Sequence, residues 1–157
     1  VKFEKLEILK LNGNKISNIN ILEKVNFKNL EKLDLGLNEF SDINIFEKVN
    51  FKKLNDLDLR DDKLSDINIL EKVDFQELKY LWLNGNEIED IKVLKNVRFE
   101  KLELLHLSGN NISDINVFRN VKFPRLENLY LLRNKINKEN NESLISELRS
   151  KITRLFI

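Results

Sequence analysis

The sequence predicts an α/β repeat solenoid: a curved horseshoe with a parallel β-sheet on its concave face and short helices on its convex face. Two observations predict this fold. Three leucine positions recur six times at a constant interval of 24 residues. Within each unit the spacing is LxxLxLxxN, with Asn at the last position in five units and Asp in one. A unit of this size cannot bury its own apolar face, so the copies must stack.

The three leucine positions of each unit predict one short strand per unit. Their LxL core has the two-residue period of a strand that buries one face. Because every unit runs in the same direction, stacked copies form a parallel sheet. The three ladders are Leu6, Leu30, Leu54, Leu78, Leu102 and Leu126; Leu9, Leu33, Leu57, Leu81, Leu105 and Leu129; and Leu11, Leu35, Leu59, Leu83, Leu107 and Leu131.

A second recurring segment predicts the short convex helices. Asn20–Glu23, Asn44–Glu47 and Asn68–Glu71 each begin with Asn and carry Glu three residues later, which is the pattern of a capping box. At Lys92–Lys95 and Asn116–Arg119 a basic residue replaces the Glu. We expect those two helices to be shorter or looser than the others.

A phenylalanine closes each turn, and the rings are expected to stack as a spine through the solenoid. Loss of one buried ring should cost about 3 to 5 kcal/mol of stability. The column consists of Phe27, Phe51, Phe75, Phe99 and Phe123.

The C-terminal residues predict a cap. Glu142–Arg149 is amphipathic, which indicates a longer helix. Ile152, Leu155 and Ile157 then repeat the leucine spacing, displaced by 26 residues from the sixth unit, and predict a seventh strand. We therefore expect a single domain over 1–157, with six 24-residue repeats in 1–137 and a capping helix and closing strand in 138–157.

The N-terminal residues begin in the middle of a unit. Val1 and Phe3 occupy the register of Val25 and Phe27. Since solenoids normally cover the exposed ends of their core, this pattern predicts that the chain is a fragment of a longer protein.

The LxxLxLxxN motif resembles the leucine-rich repeat. The segment Asn110–Ile115, nearly repeated at Asn14–Ile19, Asn38–Ile43 and Asn86–Ile91, is similar to that of the internalin-like class and of the phosphatase-1-regulating repeat proteins. This resemblance implies protein recognition by the concave sheet, without catalysis and without a cofactor. It also implies that the repeated Asn bridges backbone groups of neighbouring turns.

Asp62 breaks the ladder of asparagines. A carboxylate accepts hydrogen bonds but cannot donate them unless it is protonated. Asp62 therefore indicates a local weak point, a protonated acid or a loop that turns outward, and we favour local strain over a functional role.

Strand alternation places two columns of side chains on the concave face, about 4.8 Å apart from one strand to the next. The central column is Lys10, Asp34, Asp58, Trp82, His106 and Tyr130, with Phe156 as its possible continuation, and the neighbouring column is Ile8, Lys32, Asp56, Tyr80, Leu104 and Asn128.

The two halves of this face differ in chemistry. The first half is acidic at Asp34, Asp56, Asp58 and Asp61, partly offset by Lys32 and Arg60, whereas the second half is aromatic and apolar at Tyr80, Trp82, Leu104, His106, Tyr130 and Leu132. Aromatic residues on an exposed sheet are typical of protein-binding sites. We predict a partner with a basic and apolar epitope, bound at Asp34, Asp56, Asp58, Tyr80, Trp82, Leu104, His106 and Tyr130. The alternative is that the aromatic side chains scatter by drift or only stabilise the sheet.

Composition narrows the partner classes. A net charge of +1 disfavours nucleic acid as a partner, and no apolar run approaches the roughly 20 residues of a membrane span. The chain has no Cys, which excludes disulfides and Cys-ligated metals and leaves both a secreted and a cytosolic location open. We expect a monomer.

The best case for an enzyme would pair Asp56 or Asp58 with His106 as acid and base. Two strand steps, roughly 10 Å, separate residues 58 and 106, and Trp82 lies between them. We therefore predict neither catalysis nor a metal site. The alternative function is architectural: a spacer or sensor arm of a larger protein, with no ligand of its own.

Overall fold

A computed structural model describes residues 3–157, which form seven parallel strands in one sheet. The spatial order of the strands is their order in the chain, so the predicted solenoid is confirmed. The sheet is at most mildly curved. Val1, expected to share the register of Val25, lies outside the described residues. The strands are β1 Ile8–Lys10, β2 Lys32–Asp34, β3 Asp56–Asp58, β4 Tyr80–Trp82, β5 Leu104–His106, β6 Asn128–Tyr130 and β7 Arg154–Phe156.

The strand register follows the 24-residue period. Leu33 pairs with Leu9 on one side and with Leu57 on the other, and the same shift continues to β6. The seventh strand is confirmed, with Leu155 opposite Leu129. Ladder leucines in the interior of the stack are 0 to 1% exposed. The apolar face of each unit is therefore buried by its neighbours, as the size of the unit requires.

The convex elements are short 3-10 helices. The capping box predicted from the sequence is wrong, because the Asn that begins each of the first three helices does not cap it. No side chain caps these helices; instead, Oδ1 of Asp42 accepts a hydrogen bond from the Asn44 amide at 2.8 Å. An acidic or amide side chain two residues before the helix forms this turn in each of the first five units. The 3-10 helices are Asn20–Lys24, Asn44–Glu47, Asn68–Glu71, Lys92–Lys95, Asn116–Arg119 and Glu139–Asn141.

The two helices expected to be shorter or looser, Lys92–Lys95 and Asn116–Arg119, are one residue shorter than the first helix, Asn20–Lys24, but no shorter than the second and third. Each has four residues, like the helices of the second and third units. Asp90 and Asp114 make the same bond to the amide two residues later, at 2.8 and 2.9 Å. The turn therefore forms whether Glu or a basic residue follows three residues after the start of the helix.

The predicted longer helix is confirmed as α1, Glu142–Lys151. Its apolar face buries Leu144, Ile145 and Leu148 against the preceding unit. The Ile152 amide donates to the Leu148 carbonyl at 2.8 Å, and the chain then extends into β7. This cap covers the C-terminal end of the leucine ladders.

The phenylalanine spine is interrupted. Within residues 3–157, rings of the column pair only at Phe3–Phe27 and Phe27–Phe51, with centroids 5.8 and 6.2 Å apart. Phe75 instead meets the ring of Phe46 edge-on at 5.9 Å. Phe46 lies on the second 3-10 helix, at a position where other units carry Leu or Phe. The rings from Phe51 to Phe99 are nevertheless buried.

The asparagine ladder is formed as expected. The Asn86 amide nitrogen donates to the carbonyls of Leu59 and Leu83, at 2.8 and 3.1 Å, and its oxygen accepts from the Leu64 amide at 3.1 Å. One side chain thereby joins two turns of the stack, because a buried amide can both donate and accept.

Asp62 lies inside this ladder and is 7% exposed, so it does not turn outward. Its Oδ1 accepts from the Asn38 amide at 2.9 Å, but its buried Oδ2 has no hydrogen-bond partner. The backbone bond from Lys63 to Phe40 measures 3.3 Å, whereas its counterparts in the other units measure 2.8 to 2.9 Å. Burial raises the pKa of Asp62 to about 7. Asp62 is thus a local weak point whose carboxyl is part-protonated near neutral pH.

The variant Asp62→Asn should be more stable than the parent at pH 8, by about 1 to 3 kcal/mol, because an amide donates where the carboxylate cannot. The raised pKa of Asp62 makes the folded state bind a proton that the unfolded chain releases. Parental stability therefore falls as pH rises from about 4 to about 7, and the gain from Asn grows over that window. Urea unfolding at pH 4.5 and pH 8 measures this; Asp61→Asn, at the exposed neighbour, is the control. A gain of equal size at both pH values would contradict it.

The variant Phe51→Ala should lower the free energy of unfolding by about 3 to 5 kcal/mol, because the ring is 1% exposed and its loss leaves a cavity. Phe3→Ala removes the same side chain at a position that is 46% exposed and should cost much less. Equal losses in urea unfolding would show that burial does not decide the effect.

Candidate functional site

The strand register confirms both predicted columns on the concave face. Asp34, Asp58 and Trp82 follow one another on adjacent strands, and Phe156 does continue the central column. In the neighbouring column Asp56 lies beside Tyr80, and Arg154 extends the column on β7. The eight predicted site residues therefore lie on one surface, and their role in binding stays a prediction.

Four side chains of the central column form a continuous stack, here called the aromatic column: Trp82, His106, Tyr130 and Phe156. The centroids of His106 and Tyr130 are 4.6 Å apart with an interplanar angle of 8°, and those of Tyr130 and Phe156 are 4.7 Å apart at 3°. Trp82 lies 5.8 Å from His106 at 30°. These separations match the spacing of adjacent strands, so each ring covers a face of the next. The column therefore presents ring edges to solvent.

Trp82 is held by polar contacts from the preceding strand. Its Nε1 donates to Oδ1 of Asp56 at 3.1 Å. The guanidinium of Arg60 lies over the Trp82 ring, 5.4 Å from the ring centroid. Arg60 in turn donates from Nε to both oxygens of Asp58 and from a terminal nitrogen to Oδ2. This hydrogen bond raises the pKa of Arg60, which carries its positive charge against the Trp82 ring at every relevant pH.

Asp58 is a supporting residue of the surface. It is 5% exposed, and its Oδ1 also accepts from the Arg60 amide at 3.1 Å. Its charge is therefore matched within the chain, and little of it reaches a partner. Removal of Asp58 would leave Arg60 without its anchor, which makes this position unsuitable for testing binding alone.

Gly36 makes room for Arg60. A Cβ atom on Gly36 would lie 2.9 Å from Cγ of Arg60, 3.0 Å from the Arg60 carbonyl oxygen and 3.0 Å from Oδ1 of Asp58. Sequence reasoning did not find this contact or place Arg60 on Trp82. The only signal was the small residue one unit before Arg60 at the same repeat position.

The acidic half of the face carries less unpaired negative charge than its number of Asp residues indicates. Lys32 lies 3.6 Å from Asp56, and Asp58 is paired with Arg60. Asp34 accepts from the Gly36 amide at 3.3 Å; burial and then the charge of Asp58 raise its pKa. A depression of about 210 Å³ lies here, lined by Lys10, Lys32, Leu33, Asp34, Asp56, Asp58, Arg60 and Trp82.

His106 is a neutral imidazole at pH 7. Burial, and then the charge of Arg60, lower its pKa from the usual 6.5. Its Nδ1 is buried and, within the described part of the chain, has no hydrogen-bond partner. Trp82 occupies the strand between Asp58 and His106, so the structure does not bring this pair together.

Three further side chains border the aromatic column. The Tyr80 hydroxyl donates to Glu103 at 3.1 Å, and this bond raises its pKa. Leu104 is half-buried, whereas Leu132 is 44% exposed beyond β6.

Among residues 3–157 no three His, Cys, Asp or Glu side chains are grouped so that they could hold a metal ion. No helix in the same range is long and apolar enough to cross a membrane.

No protein-family model and no curated protein sequence matches the chain. Solved structures do match it. An internalin from Listeria monocytogenes, InlF, superposes with a TM-score of 0.70 at 25% identity, and a leucine-rich-repeat protein from Leptospira interrogans with 0.68 at 19%. A TDR receptor gives 0.70 at 23% identity. The chain is a leucine-rich-repeat solenoid.

These matches cover nearly all of this solenoid but only part of the matched chains. The internalin and the Leptospira protein are aligned over 97% and 98% of the present chain and over 48% and 49% of their own. The receptor is aligned over 98% of the present chain and 26% of its own. The solenoid thus spans about half the length of the two bacterial proteins and about a quarter of the receptor.

The variant Gly36→Ala should displace Arg60 from Trp82, because the new methyl group would overlap the Arg60 side chain and carbonyl. We expect a changed emission spectrum of Trp82, the only tryptophan, and a loss of about 1 to 2 kcal/mol in stability. Gly13→Ala is the matched control, since a Cβ there meets nothing within 4 Å and only backbone strain at φ +68° remains. Unchanged Trp82 emission in Gly36→Ala would contradict the packing of Arg60.

Proposed function

We propose that this leucine-rich-repeat solenoid is a protein-binding module that captures its partner on the concave face. The aromatic column carries the proposal. Four aromatic side chains stand in register on an open sheet, where each remains partly or largely accessible. Aromatic side chains bury a large area at low entropic cost, which is why they dominate binding hot spots.

The contact residues we propose are those predicted from the sequence, with one change of role. Tyr80, Trp82, Leu104, His106 and Tyr130 supply the apolar contact, and Asp34 and Asp56 supply charge beside it. Asp58 supports the surface through Arg60. A basic residue next to an apolar anchor on the partner would complement this arrangement.

The solved relatives support the general class of this function. One is an internalin and another is a receptor. We propose that the solenoid acts as a monomer. We also propose that it has neither catalysis nor a cofactor, because Trp82 separates Asp58 from His106. The competing function is a spacer with no ligand, in which the stacked rings only stabilise the sheet.

The double variant Trp82→Ala, Tyr130→Ala should keep the circular dichroism spectrum of the parent and lose capture of the partner from extracts of the native source. Both side chains lie on the sheet surface, so their loss removes contact area without opening the core. The control is Ile21→Ala, which truncates a 61% exposed apolar residue on the convex side.

Three outcomes of this capture experiment separate the functions. Capture by the parent and the Ile21 variant, but not by the double variant, supports the concave face. Equal capture by all three proteins would place the binding site on another surface. Capture by none favours the spacer, because the parent itself then retains no partner.

A further inference from the structure

Building on the proposed function, we infer that the concave face takes one extended, bipolar peptide segment that crosses the strands. Its basic residue lies over β2 and β3, its aliphatic residues lie over the aromatic column, and its acidic residue lies over β6 and β7.

The orientation of the rings indicates which side chains suit the middle of the segment. His106 covers one side of Trp82, and Arg60 lies on the ring as well. Tyr130 is covered on both faces by its neighbours in the stack. Ring faces attract cations, whereas ring edges carry partial positive charge. A partner cation therefore has no open face to bind before the end of the column at Phe156, and the exposed edges favour aliphatic side chains and carbonyl oxygens.

The basic end follows from two carboxylates that form no ion pair in the described chain, although the charges of Arg60 and Lys10 act on Asp34 from nearby. Asp34 and Asp61 form no ion pair within residues 3–157, in contrast to Asp56 and Asp58. Asp61 is exposed and Asp34 half-buried beside the depression described above. Residues 1–78 carry 13 basic and 16 acidic side chains, a net charge of −3. This half of the solenoid attracts positive charge over a longer range than one pair would.

The acidic end follows from two unpaired arginines. Arg154 lies on β7 beside Asn128, and Arg133 lies in the loop after β6. Both are exposed, and neither side chain has a salt bridge or hydrogen bond within the described chain. Residues 79–157 carry 14 basic and 10 acidic side chains, a net charge of +4. A carboxylate on the partner fits this end, with the bidentate geometry that arginine offers.

The distance between the two ends sets the length of the segment. Asp34 on β2 and Arg154 on β7 are five strand steps apart, or roughly 24 Å at about 4.8 Å per step. An extended chain advances about 3.3 Å per residue, so about seven residues separate the two charges. Opposite charges at the two ends disfavour a uniform polyanion such as nucleic acid.

The experiment selects displayed random 12-residue peptides on the intact solenoid. The dissociation constants of the enriched peptides, made synthetically with a fluorophore at one end, are measured by fluorescence anisotropy, a readout that does not need Trp82 in the protein. We expect a basic and an acidic residue separated by about six to eight positions, with aliphatic residues between them. Their dissociation constants should rise about two- to fivefold in Asp34→Asn or Arg154→Gln and about tenfold in Arg154→Glu, and more salt should weaken binding. Asn at position 34 keeps the oxygen that accepts from Gly36.

The controls separate this inference from the proposed function. Peptides that bind the parent but not the Trp82→Ala, Tyr130→Ala variant lie on the concave face. If such peptides lack the paired charges, or bind Arg154→Glu as tightly as the parent, the bipolar segment is wrong while the binding face stands. If no selected peptide depends on Trp82 and Tyr130, both proposals fail. Urea unfolding of each variant verifies that it is folded.

Discussion

Each unit of this solenoid depends on its neighbours to bury its leucines and to complete the hydrogen bonds of its strand. Leu54 and Leu78 are fully buried only because flanking units cover them, and the Asn86 side chain joins two turns through three bonds. The fixed separation of parallel strands is therefore the constraint on which the rest of the structure depends. A shift of one unit would break the leucine and asparagine ladders that it shares with the next unit.

The same separation builds the concave surface. Rings at one repeat position are held about one stacking distance apart, so the aromatic column forms wherever consecutive units carry rings. The column starts at Trp82, where Arg60, Asp58 and Gly36 make the junction with the acidic half. A change of one residue per unit thus changes the chemistry of the surface from charged to aromatic within one strand step.

The third unit carries both this junction and the weakest point of the ladder. Asp62 leaves a buried oxygen without a partner, while Asp58 of the same unit anchors Arg60. Burial is the main cause of the raised pKa of Asp62 and of Asp34 in the second unit, and the charge of Asp58 contributes to both. Stability and surface charge in this part of the solenoid are therefore coupled through pH. In the aromatic half, burial lowers the pKa of His106 and the Glu103 hydrogen bond raises that of Tyr80.

The strands, their register and the two concave columns could be predicted from the sequence, because these features follow from a short period that every unit repeats. The turn type at the convex helices was mistaken, since Asp and Asn serve both as helix caps and in the turn that Asp42 forms. The sequence did not predict that ring pairing in the phenylalanine spine stops at Phe51, that Asp58 is buried or that Arg60 lies on Trp82. These contacts join side chains of different units, and their geometry depends on the volume and reach of each neighbour rather than on the period.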